Sequence, residues 1–141
     1  MGSRFSASAE SLAHPEFKKR LCEARETGTE YAIVFEGGWA NAPHRTLRNS
    51  TVITWRAAGS ALVGARPGEG EVIGRRVNGE MIYRYDDTPP IAGMTGDWEA
   101  CAGYAGESVG IIQTCEPAGD IVRRIVGDAK RILSDLGRRV E

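Results

Sequence analysis

The residues of this chain best suited to chemistry are the pair Gly2 and Ser3. Both are small and carry bare backbone amides, and a helix signal opens a few residues on, at Ser8. A glycine-containing turn that runs into a helix N-terminus aims N–H groups and the positive end of the helix dipole at one point, which suits a phosphate. Met1-Gly2-Ser3 is also what an expression-tag scar leaves. The pattern downstream favours the phosphate reading.

The other groups that tempt a chemical role are weaker. Asp86-Asp87 is a paired carboxylate, but acid–base work needs two carboxyls in different environments. Adjacent aspartates just before Pro89-Pro90 suit a turn instead. His14 precedes Pro15 at a helix junction, where capping is role enough, and His44 sits among Pro43, Arg45 and Arg48. Neither is assigned acid–base chemistry, and no residue is assigned as catalytic. Cys22, Cys101 and Cys115 are far apart in sequence, odd in number and without CxxC spacing. That argues against a disulfide framework and a zinc site, and the three read as small buried hydrophobes. Arg123, Arg124, Lys130 and Arg131 read as the solvated face of a helix.

The elements that must position Gly2 and Ser3 follow from periodicity and punctuation. Residues 8–25 read as helix in two pieces. The residue before a proline resists the α region, so the first piece ends at His14, and Pro15 suits the first turn of the second. Phe17, Leu21 and Ala24 form its apolar stripe, and Thr27-Gly28 stops it. Tyr31–Phe35 reads as a strand closed by Gly37-Gly38. Residues 43–55 are read as helix, although Thr51-Val52-Ile53-Thr54 favours strand on propensity alone. Residues 71–77 and 80–85 flank Asn78-Gly79, the signature of a two-residue type I′ hairpin. Asp97 can cap a short helix over 98–104 that Gly106 would end. From Pro117 onward Ile121, Val122, Ile125, Val126, Ala129, Ile132, Leu133 and Leu136 repeat at helical spacing, with Gly137 as C-cap candidate. That last helix must dock on something apolar.

Composition bounds the partners. The chain has 141 residues, one domain by length, with 18 basic against 19 acidic side chains. No basic patch is interleaved with aromatics, so nucleic acid is not an expected partner. The apolar runs are too short for a bilayer and there is no signal peptide, so neither a membrane nor export is expected and the compartment defaults to the cytoplasm.

Four stretches together resemble the FMN-dependent nitronate monooxygenases, also called 2-nitropropane dioxygenases. They are Met1-Gly2-Ser3-Arg4-Phe5 with its continuation to Lys18; Asn41-Ala42-Pro43-His44-Arg45-Thr46-Leu47-Arg48-Asn49; Gly93-Met94-Thr95-Gly96-Asp97 followed by Tyr104-Ala105-Gly106-Glu107-Ser108-Val109-Gly110; and Pro117-Ala118-Gly119-Asp120-Ile121-Val122-Arg123. Each alone is weak, but their order covers nearly the whole chain. The family commonly carries Thr where this chain has Ser3 and Gln where it has Glu107.

The resemblance implies an α/β fold, the C-terminal fragment of a (β/α)8 barrel with an inserted small α+β lid region containing a β-hairpin. Residues 1–26 would follow the last barrel strand, 27–96 would form the lid, and 97–141 would return to the barrel and its closing helix. Met1 would then be an internal methionine serving as a start. The resemblance also implies FMN as cofactor, with the Gly2 and Ser3 amides at its phosphate and Tyr104, Gly106 and Ser108 near the flavin. The parent would oxidise alkyl nitronates with O2. The family's catalytic histidine and ring-holding strands have no counterpart here, so the isolated chain is expected to be inactive. A flavin enoyl reductase of the same barrel group and a small non-enzymatic α+β interaction domain are the alternatives. Self-association through uncovered apolar surface is a further expectation.

Overall fold

The computed structural model describes residues 1–37, 39 and 41–140. Among these residues it is an α/β arrangement of four α-helices and two small sheets. The helices are α1 (Gly2–Ser6), α2 (Pro15–Glu23), α3 (Ser50–Ala57) and α4 (Ala118–Val140). β1 (Thr29–Ala32) pairs antiparallel with β2 (His44–Leu47), and β3 (Val72–Arg75) lies between β4 (Met81–Tyr83) and β5 (Thr95–Gly96), again antiparallel. Every strand pair among the described residues is antiparallel. No helix among them is long and apolar enough to cross a membrane.

The N-terminal segment departs from expectation. Helix occupies Gly2–Ser6, and the stretch from Ala7 to His14 is turns and extended chain. Ser8 therefore caps nothing; its amide closes onto the Phe5 carbonyl. α2 begins where the Pro15 rule places it. The His14 ring accepts the Glu16 amide through Nδ1 at 3.3 Å, and Phe17 and Leu21 are buried one turn apart.

Residues 43–55 are strand and then helix. His44–Leu47 is drawn into a ladder with β1, with Thr29 opposite Leu47 and Ala32 opposite His44. Asn49 then restarts the chain as helix by accepting the Val52 amide on Oδ1 at 3.0 Å. Pairing partner and cap override the local period. The first ladder also runs two residues earlier than Tyr31–Phe35 suggests. Beyond Ala32 the backbone ladder gives way to a side-chain contact: the Phe35 amide donates to His44 Nε2 at 3.1 Å. Gly38, half of the expected Gly37-Gly38 stop, lies outside the described residues.

β3 and β4 pair across Asn78-Gly79, but the turn is not type I′. The Gly79 amide donates to the Arg76 carbonyl, the Arg76 amide donates to the Glu80 carbonyl, and only Gly79 has positive φ, at 87°. This is a three-residue loop ending in a left-handed glycine. The helix expected over 98–104 is a single 3₁₀ turn, Trp98–Ala100, capped by Asp97 as its carboxylate should. Gly106 precedes the 3₁₀ segment Glu107–Ile111 and ends no helix. α4 runs through Gly137, which is therefore no C-cap.

Three buried clusters hold these pieces together. Ala7, Phe17, Leu21, Leu47, Val109 and Ile112 join the residue that ends α1 to α2, β2 and the 107–112 segment. Val34, Phe35, Val52, Trp55 and Tyr85 fill the space under α3. Ile73, Ile82, Met94 and Cys101 lie under the second sheet. In that sheet Gly96 has φ +99°, and a Cβ there would run into the Ile73 carbonyl oxygen. Gly96→Ala should therefore lose about 2–5 kcal/mol, strain and overpacking together. Urea unfolding checks this; a midpoint within error of the parent would contradict the register.

Candidate functional site

The start of α1 gathers four of the five residues expected to touch a cofactor. Ser3 is buried, and its Oγ accepts the Gly106 amide at 2.9 Å across 103 residues of sequence. A Cβ added to Gly106 would lie 3.8 Å from Ser108 Oγ and 3.9 Å from Ser3 Oγ, so the two hydroxyls converge on the Gly106 backbone. Gly2, in the same first turn, faces open space, where an added Cβ would meet nothing within 4 Å. No side chain caps the helix, so its leading N–H groups keep no side-chain partner.

Tyr104 stands apart from this group. Its hydroxyl donates to the Phe35 carbonyl at 3.5 Å, and its ring meets His44 edge-on at 5.5 Å. Burial, with a smaller push from the Asp87 carboxylate, raises its phenol pKa above the ordinary value. Glu107, the residue whose charge would oppose an anion, is ion-paired with Arg45 at 3.0 Å.

Beside the start of α1 lies a cavity of about 530 Å³, bounded by Met1, Arg4 and Ser108 and walled by Ile111, Ile121 and Ile125. Its charged rim is a bridge that sequence reasoning missed. Glu116 accepts from Arg124 at 2.9 Å on one oxygen and pairs with Arg4 at 3.0 Å on the other. The Arg124 hydrogen bond, then the Thr114 hydroxyl, hold the Glu116 carboxyl down at about 2. The Ala9 amide donates to the Glu116 carbonyl, and the Ala118 amide donates to Glu10. The segment 4–10 thus receives the start of α4. No local signal announces this, because the partners are more than a hundred residues apart.

Neither histidine is placed for proton transfer. His44 is held at both nitrogens, by the Phe35 amide and the Ala42 carbonyl, and His14 caps α2 and stacks on Trp98 at 5.2 Å between centroids. Asp86 accepts the Tyr83 amide at 2.8 Å, the turn-forming role its neighbours suggested. Among the described residues, no three His, Cys, Asp or Glu side chains gather as a metal site would require.

No family model matches the chain, and no curated protein is similar to it. Solved structures are. FabK from Thermotoga maritima is 24% identical over 96% of this chain and 38% of its own, with a TM-score of 0.60. A point mutant of the same FabK is 22% identical over 96% of this chain and 34% of its own, with a TM-score of 0.57. The shared fold therefore extends over nearly all of this chain, and the chain spans little more than a third of the FabK it matches.

Proposed function

We propose that this chain is the closing portion of an FMN-dependent oxidoreductase barrel and supplies the phosphate end of its flavin site. The observation that carries the reading is the hydrogen bond from the Gly106 amide to Ser3 Oγ. It joins two stretches, distant in sequence, that the family resemblance places on the same cofactor, and it does so at the first turn of a short helix. Barrel enzymes often bind phosphate at such a short extra helix, beside the loops after the last strands. The likeness to FabK over 96% of the chain supports the same placement.

The residues fit the phosphate end of FMN. Gly2 and Ser3 would present amides, Ser108 a hydroxyl, and Gly106 the close approach of bare backbone. Tyr104 would stand back from the phosphate, on the side of Phe35 and His44. The bound flavin supplies the electron transfer; these residues orient it by its phosphate. In this reading 1–26 follow the last barrel strand, 27–96 form a lid carrying both small sheets, and 97–141 return to the barrel.

The finer chemistry has two readings. Oxidation of an alkyl nitronate with O2 rests on the four sequence stretches. Reduction by a flavin enoyl reductase of the same barrel group is favoured by the likeness to FabK. Oxygen uptake with a nitronate, against reduction of an enoyl thioester, separates them on the whole flavin-loaded protein.

The site itself can be tested on this chain. Titration with millimolar FMN should shift the amide resonances of Gly2, Ser3, Gly106 and Ser108, and riboflavin, which lacks the phosphate, should leave them in place. Binding should stay weaker than micromolar, because the phosphate end alone is present. Equal shifts with riboflavin, or none with FMN, would overturn the assignment.

A further inference from the structure

We propose that Cys22 and Cys115 form a reversible intramolecular disulfide that fastens α2 to the segment leading into α4. Their sulfurs lie 3.7 Å apart although 93 residues separate them in sequence. Cys22 is the penultimate residue of α2 and packs partly buried against the Phe17–Leu21 cluster. Cys115 is exposed and directly precedes Glu116, the residue that ties Arg4 to Arg124. The third thiol, Cys101, is buried under the second sheet and takes no part.

The two partners differ in a way that orders the chemistry. Cys115 is the accessible thiol and attacks first. With a low-molecular-weight disulfide such as oxidised glutathione as oxidant, the Cys115 thiolate attacks one glutathione sulfur. A mixed disulfide forms and one glutathione thiolate leaves. The Cys22 thiolate then attacks Cys115 Sγ, breaking the mixed disulfide and releasing the second glutathione. Two protein thiols are oxidised, one glutathione disulfide is reduced to two thiols, and the two protons pass to the departing thiolates. Burial, and then the hydrogen bond and charge of Cys115 itself, push the Cys22 thiol up to about 11. Capping Cys115 removes both of its own contributions, so the first step prepares the second. Cys101, which burial pushes up to about 12, stays a thiol throughout.

The bond would close a loop of more than ninety residues, and restraint on the unfolded chain grows with loop length. It would also keep Thr114–Pro117 against α2, and with it the Glu116 bridge at the rim of the cavity.

The test is oxidation of the native chain by glutathione disulfide, followed by tryptic mass mapping, thiol counting and thermal melts. The expected product is a monomer carrying one peptide linked through Cys22 and Cys115, formed at every protein concentration. Its Tm should rise on the order of 10 °C, reversibly with reductant. Cys101→Ser should behave as the parent, and Cys115→Ser should give neither the link nor the shift. Glutathione retained on Cys115 with Cys22 free, or a disulfide dimer that grows with concentration, would overturn the proposal. A linked peptide seen only in denaturant would overturn it equally.

Discussion

The chain should self-associate through α4 and bind hydrophobic dyes, and charging that helix should abolish both. Ile121 is fully buried and anchors the first turn of the helix. Val122, Ile125, Val126, Ile132, Leu133 and Leu136, on the same stripe, are all exposed, Leu133 at 69%. Completing the burial of six such side chains, each near half exposed, is worth roughly 5–9 kcal/mol. That rivals the net stability of a whole domain, and a soluble monomer rarely leaves such a stripe open. In the barrel reading the face is covered by the rest of the barrel; in the isolated chain a second copy is the available cover. Sedimentation at tens of micromolar should show species heavier than the monomer, with ANS fluorescence enhanced. Val126→Glu with Leu133→Glu should return a dye-free monomer of unchanged helix content, since neither side chain reaches the anchored first turn. A parent chain that sediments as a dye-free monomer would refute the prediction.

Asn49→Ala should be among the most damaging single substitutions in the chain. One side chain serves three partners: Oδ1 caps α3 at the Val52 amide, and Nδ2 donates at 2.8 Å to the carbonyls of both Glu99 and Cys101. Losing the cap costs about 1 kcal/mol. Each buried carbonyl left unpaired adds about 1–3 kcal/mol, so the total is roughly 3–7 kcal/mol against a typical stability of about 5–15. Urea denaturation should report an unfolding free energy lowered by that amount; a loss below about 1 kcal/mol would mean the network is not held as described.

The same junction carries a pH dependence. Glu99 accepts from Arg20 at 2.7 Å and from the Ser50 amide at 3.1 Å. Burial would push its carboxyl up, but the Ser50 and Arg20 hydrogen bonds win and hold it below the ordinary glutamate value. A folded value below the unfolded one means the stabilisation is complete above about pH 4.3 and disappears as pH falls through the lower folded value. Glu99→Gln should therefore flatten the acid limb of the stability profile. An unchanged limb would assign that limb to other carboxylates.

What could be read from the chain was what neighbours in sequence decide. Pro15 set the start of α2, Asp97 the 3₁₀ turn and Asp86 its turn, because each acts on backbone within three residues. The apolar stripe of α4 was legible as a face in want of cover. Residues 43–55 depart from the helical reading because Thr46 and Leu47 answer to Glu30 and Thr29 of β1, 16 and 18 residues away in sequence, and because Asn49 caps a helix that starts only at Ser50. The short helix at Gly2–Ser6 was missed for a related reason: five residues are too few to show a period, and Ala7 is fixed by packing in the Phe17 cluster.

The sequence by itself determined the amphipathic character of α4 and singled out Gly2 and Ser3 as candidates for the proposed phosphate site, since residue type and 3.6-residue spacing are local properties; Tyr104, Gly106 and Ser108 became candidates through the family resemblance alone. Only the tertiary structure decided that Ser3, Gly106 and Ser108 meet while Tyr104 turns away to Phe35. It alone joined Glu116 to Arg4 and Arg124, and brought two cysteines 93 residues apart to 3.7 Å. Contacts of that range depend on how whole elements pack, and a packing solution is selected by the summed burial of three clusters rather than by any segment's own preference.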